Sequence, residues 1–210
     1  MKIVEATRVR GRQYTLTLLG EEEFEVTVDA ATFDDSWYHV NGEISLEQLE
    51  ALVEQSRYNR ARSRALYYLS DRDYGAKELE RKLHRCTDRE TAEKVVARLM
   101  EVGLINDAEY AKRQAHSLLT YKQYPKRRIL QVLQQKGINR ADAENALEEL
   151  EPDDFQQALA LIRKKYYNRV YDKVGREKTV AALARYGFSY DAVRRAINAV
   201  TEEQIDDEWD

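Results

Sequence analysis

Apolar residues change their spacing once along this chain. Over the first thirty positions they alternate. Tyr14, Leu16 and Leu18 take turns with Thr15 and Thr17, and Phe24, Val26 and Val28 with Glu25 and Thr27, the period-two pattern of half-buried strands. Gly20-Glu21 between them predicts a two-residue turn with glycine at its first central position. The segment from Lys2 to Arg10, joined through Gly11, supplies a third strand. So small a sheet is marginal alone and is expected to pack on a helix. A short helix at 30–37 and a turn at Asn41-Gly42 follow. Ser45 with Gln48 three residues later predicts a capped helix start. From there Leu46, Leu49, Leu52 and Val53 recur at helical spacing.

The helical part repeats itself. Residues 135–147, QKGINRADAENAL, are echoed fifty positions later at 185–197 as RYGFSYDAVRRAI. Leu133, Gly137, Ile138, Ala143, Ala146 and Leu147 correspond to Leu183, Gly187, Phe188, Val193, Ala196 and Ile197. A fainter copy at 77–99 aligns Leu79 and Leu83 with Ile129 and Leu133, then slips by one residue and has Thr87 in place of the glycine. A fixed period of this length marks a repeat architecture. The predicted helices are 57–69, 75–85 and 88–102, then 107–121, 125–136 and 140–150, then 153–171, 176–186 and 190–200. Thr87 with Glu90 predicts a capping box, Gly103, Gly137 and Gly187 helix ends, Asn139 and Ser189 N-caps, and Pro125 a first helical turn. The fold class is therefore mainly α, with three tandem three-helix repeats behind a small N-terminal β-sheet extension. The boundaries read as an extension at 1–44, a linker helix at 45–57, repeats at 58–106, 107–151 and 152–200, and an acidic tail at 201–210.

Composition changes this picture little, but charge changes it a good deal. Only two prolines and eight glycines occur, which suits helices. The single cysteine, Cys86, excludes an internal disulfide framework, and neither a bilayer-spanning run nor a signal-peptide core is present, so a cytoplasmic protein is expected. The net charge of −4 conceals segregation: residues 1–56 carry 4 basic and 12 acidic side chains, residues 57–200 carry 30 and 20, and the last ten carry six acids and no base.

Chemistry for catalysis is missing. His39, His84 and His116 are scattered, and no phosphate loop, nucleophile elbow or metal-ligand spacing occurs, so no catalytic residue, cofactor or metal is expected. Chemistry for binding is present. Residues 110–140 hold eight bases and no acid: Lys112, Arg113, Lys122, Lys126, Arg127, Arg128, Lys136 and Arg140. In the third repeat Arg163, Lys164, Lys165, Arg169, Lys173, Arg176 and Lys178 face only Asp172 and Glu177. Tyr121, Tyr124, Tyr166, Tyr167 and Tyr171 are interleaved, whereas Tyr68, Tyr110 and Tyr186 read as packing. Any one such base is ordinarily part of a solvated face. An acid-free run of this length, in a chain with 38 acids, points to a surface for an anionic partner. The partner- or DNA-binding candidates are Lys122, Lys126, Arg127, Arg128, Arg163, Lys164, Lys165, Tyr167, Arg169, Lys173 and Arg176.

GLINDAEYAKRQAHSL at 103–118, ALYYLSDRDYGAKELERKL at 65–83 and KGINRADAENAL at 136–147 resemble the hallmark segments of the RecX family, in order and spacing. The resemblance covers roughly residues 58–200. It implies an elongated, curved array of three-helix repeats and a non-enzymatic, monomeric regulator acting in DNA repair and the SOS response. It further implies a protein that binds the RecA recombinase and its filament on single-stranded DNA, occupies the filament groove, and inhibits ATP hydrolysis and strand exchange. Some members of the family also bind DNA directly. The alternative is a helical-repeat DNA-binding protein that acts without a recombinase.

Overall fold

The computed structural model describes the backbone of residues 1–207 and the side chains of residues 1–202. The chain divides into two compact units, Met1–Ile105 and Asn106 to the C-terminus.

The first unit opens with an antiparallel sheet of β1 (Lys2–Val9), β2 (Gln13–Leu19) and β3 (Glu23–Asp29), in that order. The loop between β2 and β3 is Gly20–Glu22, three residues rather than the two expected, with the Gly20 N–H donating to the Glu22 carbonyl at 3.1 Å. Register explains the difference. Leu16 pairs with Val26 and Leu18 with Phe24. A loop shorter by one would set the two leucines opposite Glu25 and Glu23 and send every β3 side chain to the other face. Ile3, Leu16, Leu18 and Val28 pack with Phe33 of α1 (Ala30–Asp34), Ile44, and Leu49 and Leu52 of α2 (Leu46–Asp71).

α2 carries the expected capping box: Ser45 Oγ accepts from Gln48 N–H at 3.1 Å, and Gln48 Oε1 from Ser45 N–H at 2.9 Å. It then runs unbroken for 26 residues, so the linker helix and the first repeat helix are one element. Ser56, where the sequence suggested a junction, is buried mid-helix, and its hydroxyl accepts from the Asp29 N–H at 2.6 Å. Leu49 and Leu52 of α2 serve the sheet core, and Ala61 and Ala65 serve the first repeat, with Leu79 and Leu83 of α3 (Ala76–Leu83) and Val95, Val96 and Leu99 of α4 (Arg89–Glu101). The cap of α4 lies one residue beyond the expected Thr87. Asp88 accepts from the Thr91 N–H at 2.9 Å, and the buried Thr87 hydroxyl has no hydrogen-bond partner among the described residues. A carboxylate is the better acceptor for a helix start. Gly103 ends α4 at φ +74°, as its sequence position predicted.

The second unit holds α5 (Asp107–Lys122), α6 (Lys126–Lys136), α7 (Arg140–Glu148), α8 (Asp154–Lys165), α9 (Lys173–Tyr186) and α10 (Tyr190–Asp207). All the apolar pairs of the fifty-residue echo are buried, so the echo is an echo of the core. Gly137 and Gly187 end α6 and α9 at φ +95° and +107°, and Asn139 and Ser189 cap the helices that follow. Pro125 stands just outside α6 as its N-cap, in extended conformation. α8 stops at Lys165, six residues before its expected end, and a 3-10 turn at Tyr167–Arg169 follows. This turn puts Val170 into the core and Asp172 at the cap of α9, where its carboxylate accepts from the Gly175 N–H at 2.8 Å. α10 continues through residues 201–207, so most of the expected tail is helical; residues 208–210 lie outside the described residues.

Candidate partner-binding surface

Folding divides the acid-free stretch into two populations. Lys112 pairs with Glu149 at 2.8 Å and Glu109 at 3.6 Å, and its ammonium is held above its ordinary pKa, chiefly by the hydrogen bond to Glu149. Arg140 pairs with Glu144 at 2.7 Å, the Lys136 ammonium donates to the Tyr110 hydroxyl at 3.0 Å, and Arg113 is also engaged. Carboxylates outside the stretch account for the first two.

Lys122, Lys126, Arg127 and Arg128 form the second population, and none has an ion-pair partner among the described residues. They gather at the corner between α5 and α6, where Gln123 turns the chain in the left-handed region at φ +54°. Lys122, Lys126 and Arg127 are exposed; Arg128 is half-buried, with its guanidinium 5.6 Å from the centroid of the Tyr124 ring. No acid lies in the first turn of α6. Three cations at the positive end of a helix oppose its dipole, at about 0.3–1 kcal/mol each, so a bound anion would relieve repulsion there. One carboxylate reaches the corner from the next repeat: Asp154 accepts from the backbone N–H of Lys126 at 2.9 Å. It supplies the cap that Pro125 cannot.

A second basic group occupies the end of α8 and the start of α9. Arg163, Lys164 and Lys165 form the last turn of α8, where positive charge suits the helix dipole, and all three are exposed. Tyr167 and Arg169 lie on the 3-10 turn and Lys173 opens α9, all exposed. Arg163 already has a partner. Arg176 is exposed, but its Nε donates to the Val170 carbonyl at 2.5 Å, so it also holds the turn together. Ten residues of helix separate Asp154, beside the first cluster, from Lys164 in the second, a distance of about 15 Å.

The interleaved tyrosines divide as well. Tyr121 is 75% exposed and Tyr167 43%, open to a partner. Tyr124 packs against the core of the second repeat and Tyr166 and Tyr171 against that of the third; Tyr68, Tyr110 and Tyr186, which the sequence assigned to packing, lie in or against the cores of the first, second and third. No group of three or more metal-ligating side chains forms among the described residues, and none of their helices is long and apolar enough to cross a membrane. Sequence reasoning missed Asp154, because nothing local ties an acid at the start of α8 to the start of α6.

Three helical repeats that follow a small sheet in the chain, with two basic clusters on the last two, define a mainly α, helical-repeat protein. Family models describing the first, second and third three-helix domains of RecX match residues 61–99, 106–147 and 151–197. The chain belongs to the RecX family. A regulatory protein RecX of Clostridioides difficile (strain 630) is 31% identical over 164 residues, which cover 74% of this chain and 75% of that protein. One from Streptococcus pneumoniae (strain CGSP14) is 27% identical over 214 residues, covering 99% and 80%. A crystal structure of a regulatory protein RecX shares the fold at a TM-score of 0.67, with 23% identity over 94% of this chain and 98% of that one. RecX from Lactobacillus salivarius matches at a TM-score of 0.61, with 26% identity over 70% and 98%.

Proposed function

We propose that this protein is a cytoplasmic, monomeric negative regulator of homologous recombination that binds the RecA recombinase assembled on single-stranded DNA. Membership of the RecX family supports a regulatory rather than an enzymatic role. The observation that carries the contact site is the sorting of the acid-free stretch. Half its bases are engaged inside the fold, and Lys122, Lys126, Arg127 and Arg128 are left without carboxylate partners at one corner. Together with Lys164, Lys165, Tyr167, Arg169 and Lys173 they offer positive charge and an open ring to a surface of acidic protein and phosphate. Occupying the filament groove would then slow strand exchange and ATP hydrolysis, through tighter binding to the assembled filament than to its parts.

Binding measured in parallel to naked single-stranded DNA and to preassembled recombinase filaments tests this reading. Tighter binding to filaments supports it. Equal affinity for naked DNA, falling with salt at a slope of about −0.7 per neutralised phosphate, would instead favour a DNA-binding protein that acts without a recombinase.

A further inference from the structure

The acidic balance of residues 1–56 suggests an acidic sheet face, but the fold sorts its charges. Arg8, Arg10 and Arg12 gather at the β1–β2 end of the sheet, while Glu21, Glu22, Glu23 and Glu25 gather at the opposite end. α2 changes sign along its length in the same way: Glu47, Glu50 and Glu54 come first, and Arg57, Arg60, Arg62 and Arg64 follow. The two basic ends meet. Ala30 N–H donates to the Arg12 carbonyl at 2.8 Å, and Asp29 N–H to Ser56 at 2.6 Å, which ties the hairpin turn to the middle of α2. Between them runs a groove of about 760 Å³, lined by Arg12, Gln13, Arg60, Arg64, Tyr67 and Cys86 among others.

The groove is ordered by its own contacts. With its amide oxygen turned to the helix, Gln13 accepts from both Nε and Nη1 of Arg60 at 2.9 Å, which fixes the plane of that guanidinium. Arg64 donates to the Tyr68 hydroxyl at 3.1 Å and lies 5.4 Å and 5.0 Å from the ring centroids of Tyr67 and Tyr68. Asp29, the carboxylate of the lining, is already occupied in capping α1, accepting from Thr32 N and Oγ1 at 3.2 Å each. Tyr67 as a residue is nevertheless 64% exposed beside these arginines.

We propose that this groove is a binding site for single-stranded nucleic acid, separate from the basic clusters of the second unit. Arg12, Arg60 and Arg64 take phosphodiesters, and one unstacked base lies on Tyr67. Stacking on an open ring beside guanidinium groups is the usual way sequence-tolerant single-strand binders hold bases. A duplex keeps its bases out of reach of that ring, and a peptide of acidic side chains alone has no flat group to stack on it.

Cys86 is the sole cysteine, is exposed and lines the groove, so it reports occupancy in the unaltered protein. The test is the rate at which a neutral maleimide alkylates Cys86 with and without saturating oligothymidylate, no recombinase being present. The site predicts alkylation slowed several-fold. It also predicts that Tyr67→Ala weakens oligonucleotide binding by roughly five- to a hundredfold, and that Arg60→Gln flattens the salt slope by about 0.7. Removing Lys126 and Arg127 should leave the protection intact, which separates this site from the filament reading. Three results would overturn it: no oligonucleotide binding at low salt, binding that leaves Cys86 unprotected, or equal protection by a polyglutamate peptide.

Discussion

The rings of Tyr124 and Tyr186 meet edge to face with their centroids 5.3 Å apart, joining the turn before α6 to the last residue of α9. This contact links the second repeat to the third, and the Phe188 ring lies nearly parallel to that of Tyr186 with centroids 6.5 Å apart. A double-mutant cycle of Tyr124→Ala and Tyr186→Ala, read by urea unfolding, should give a coupling of about 0.5–1.5 kcal/mol. A coupling indistinguishable from zero would mean that the joint is held elsewhere.

Two glycines should tolerate alanine very differently. At Gly187, φ is +107°, a conformation that L side chains rarely adopt, while a Cβ would make only ordinary contact with Arg128 Cβ at 3.4 Å and Pro125 Cγ at 3.5 Å; the backbone strain alone should make Gly187→Ala cost more than about 1 kcal/mol. At Gly175 the obstacle is backbone: a Cβ there would overlap the Arg169 carbonyl, which cannot swing aside as a side-chain end can. Gly175→Ala should therefore be the more damaging, at about 1–3 kcal/mol or beyond, and should loosen the turn that presents Tyr167 and Arg169. Thermal denaturation of the two variants gives the order directly.

Acid should unlatch the first repeat at one identifiable group. The Asp88 carboxyl is held down to about 2 from its ordinary 3.8, first by the Thr91 N–H, with further help from the Thr91 hydroxyl and Arg57. A carboxyl depressed by folding contributes its stability above the ordinary value, and loses it as pH falls through the folded one. The contribution of Asp88 should thus be complete above about pH 4 and fade towards pH 2. Asp88→Ala should cost about 1 kcal/mol at neutral pH, while Asp88→Asn keeps a capping acceptor and removes the titration. Comparing acid unfolding of the three proteins between pH 4 and pH 2 checks both statements.

The two populations of basic residues should separate in binding. Lys126→Gln and Arg127→Gln should each weaken filament or DNA association and flatten its salt dependence by about 0.7 in slope for each phosphate no longer neutralised. Lys112→Gln removes a base already paired with Glu149 and should leave the slope unchanged. Equal effects from all three would mean that sequence proximity, not freedom from partners, sets the surface.

The architecture was legible in the sequence where it rests on core periodicity. Leu133 and Leu183, or Ile138 and Phe188, repeat because the same apolar seat is filled twice, and the glycines beside them repeat because each helix must end there. Features set by contacts between distant segments were not legible. Ser56 stands beside the expected boundary between linker and first repeat, yet it lies within one continuous helix and is held by Asp29 from across the fold. The β2–β3 loop length follows from pairing register, not from the turn residues. For the surface, the sequence shows where bases crowd together along the chain but cannot tell the engaged from the open ones. Glu149 and Asp154 approach them only through the packing of helices far apart in the chain.

The most direct test of the central proposal is RecA-catalysed ATP hydrolysis on single-stranded DNA, with this protein titrated in beside a variant carrying Lys122→Gln, Lys126→Gln and Arg127→Gln. The proposal predicts that the unaltered protein suppresses hydrolysis in a saturable way and that the variant needs a markedly higher concentration for the same effect. Unchanged hydrolysis at saturating unaltered protein would contradict it.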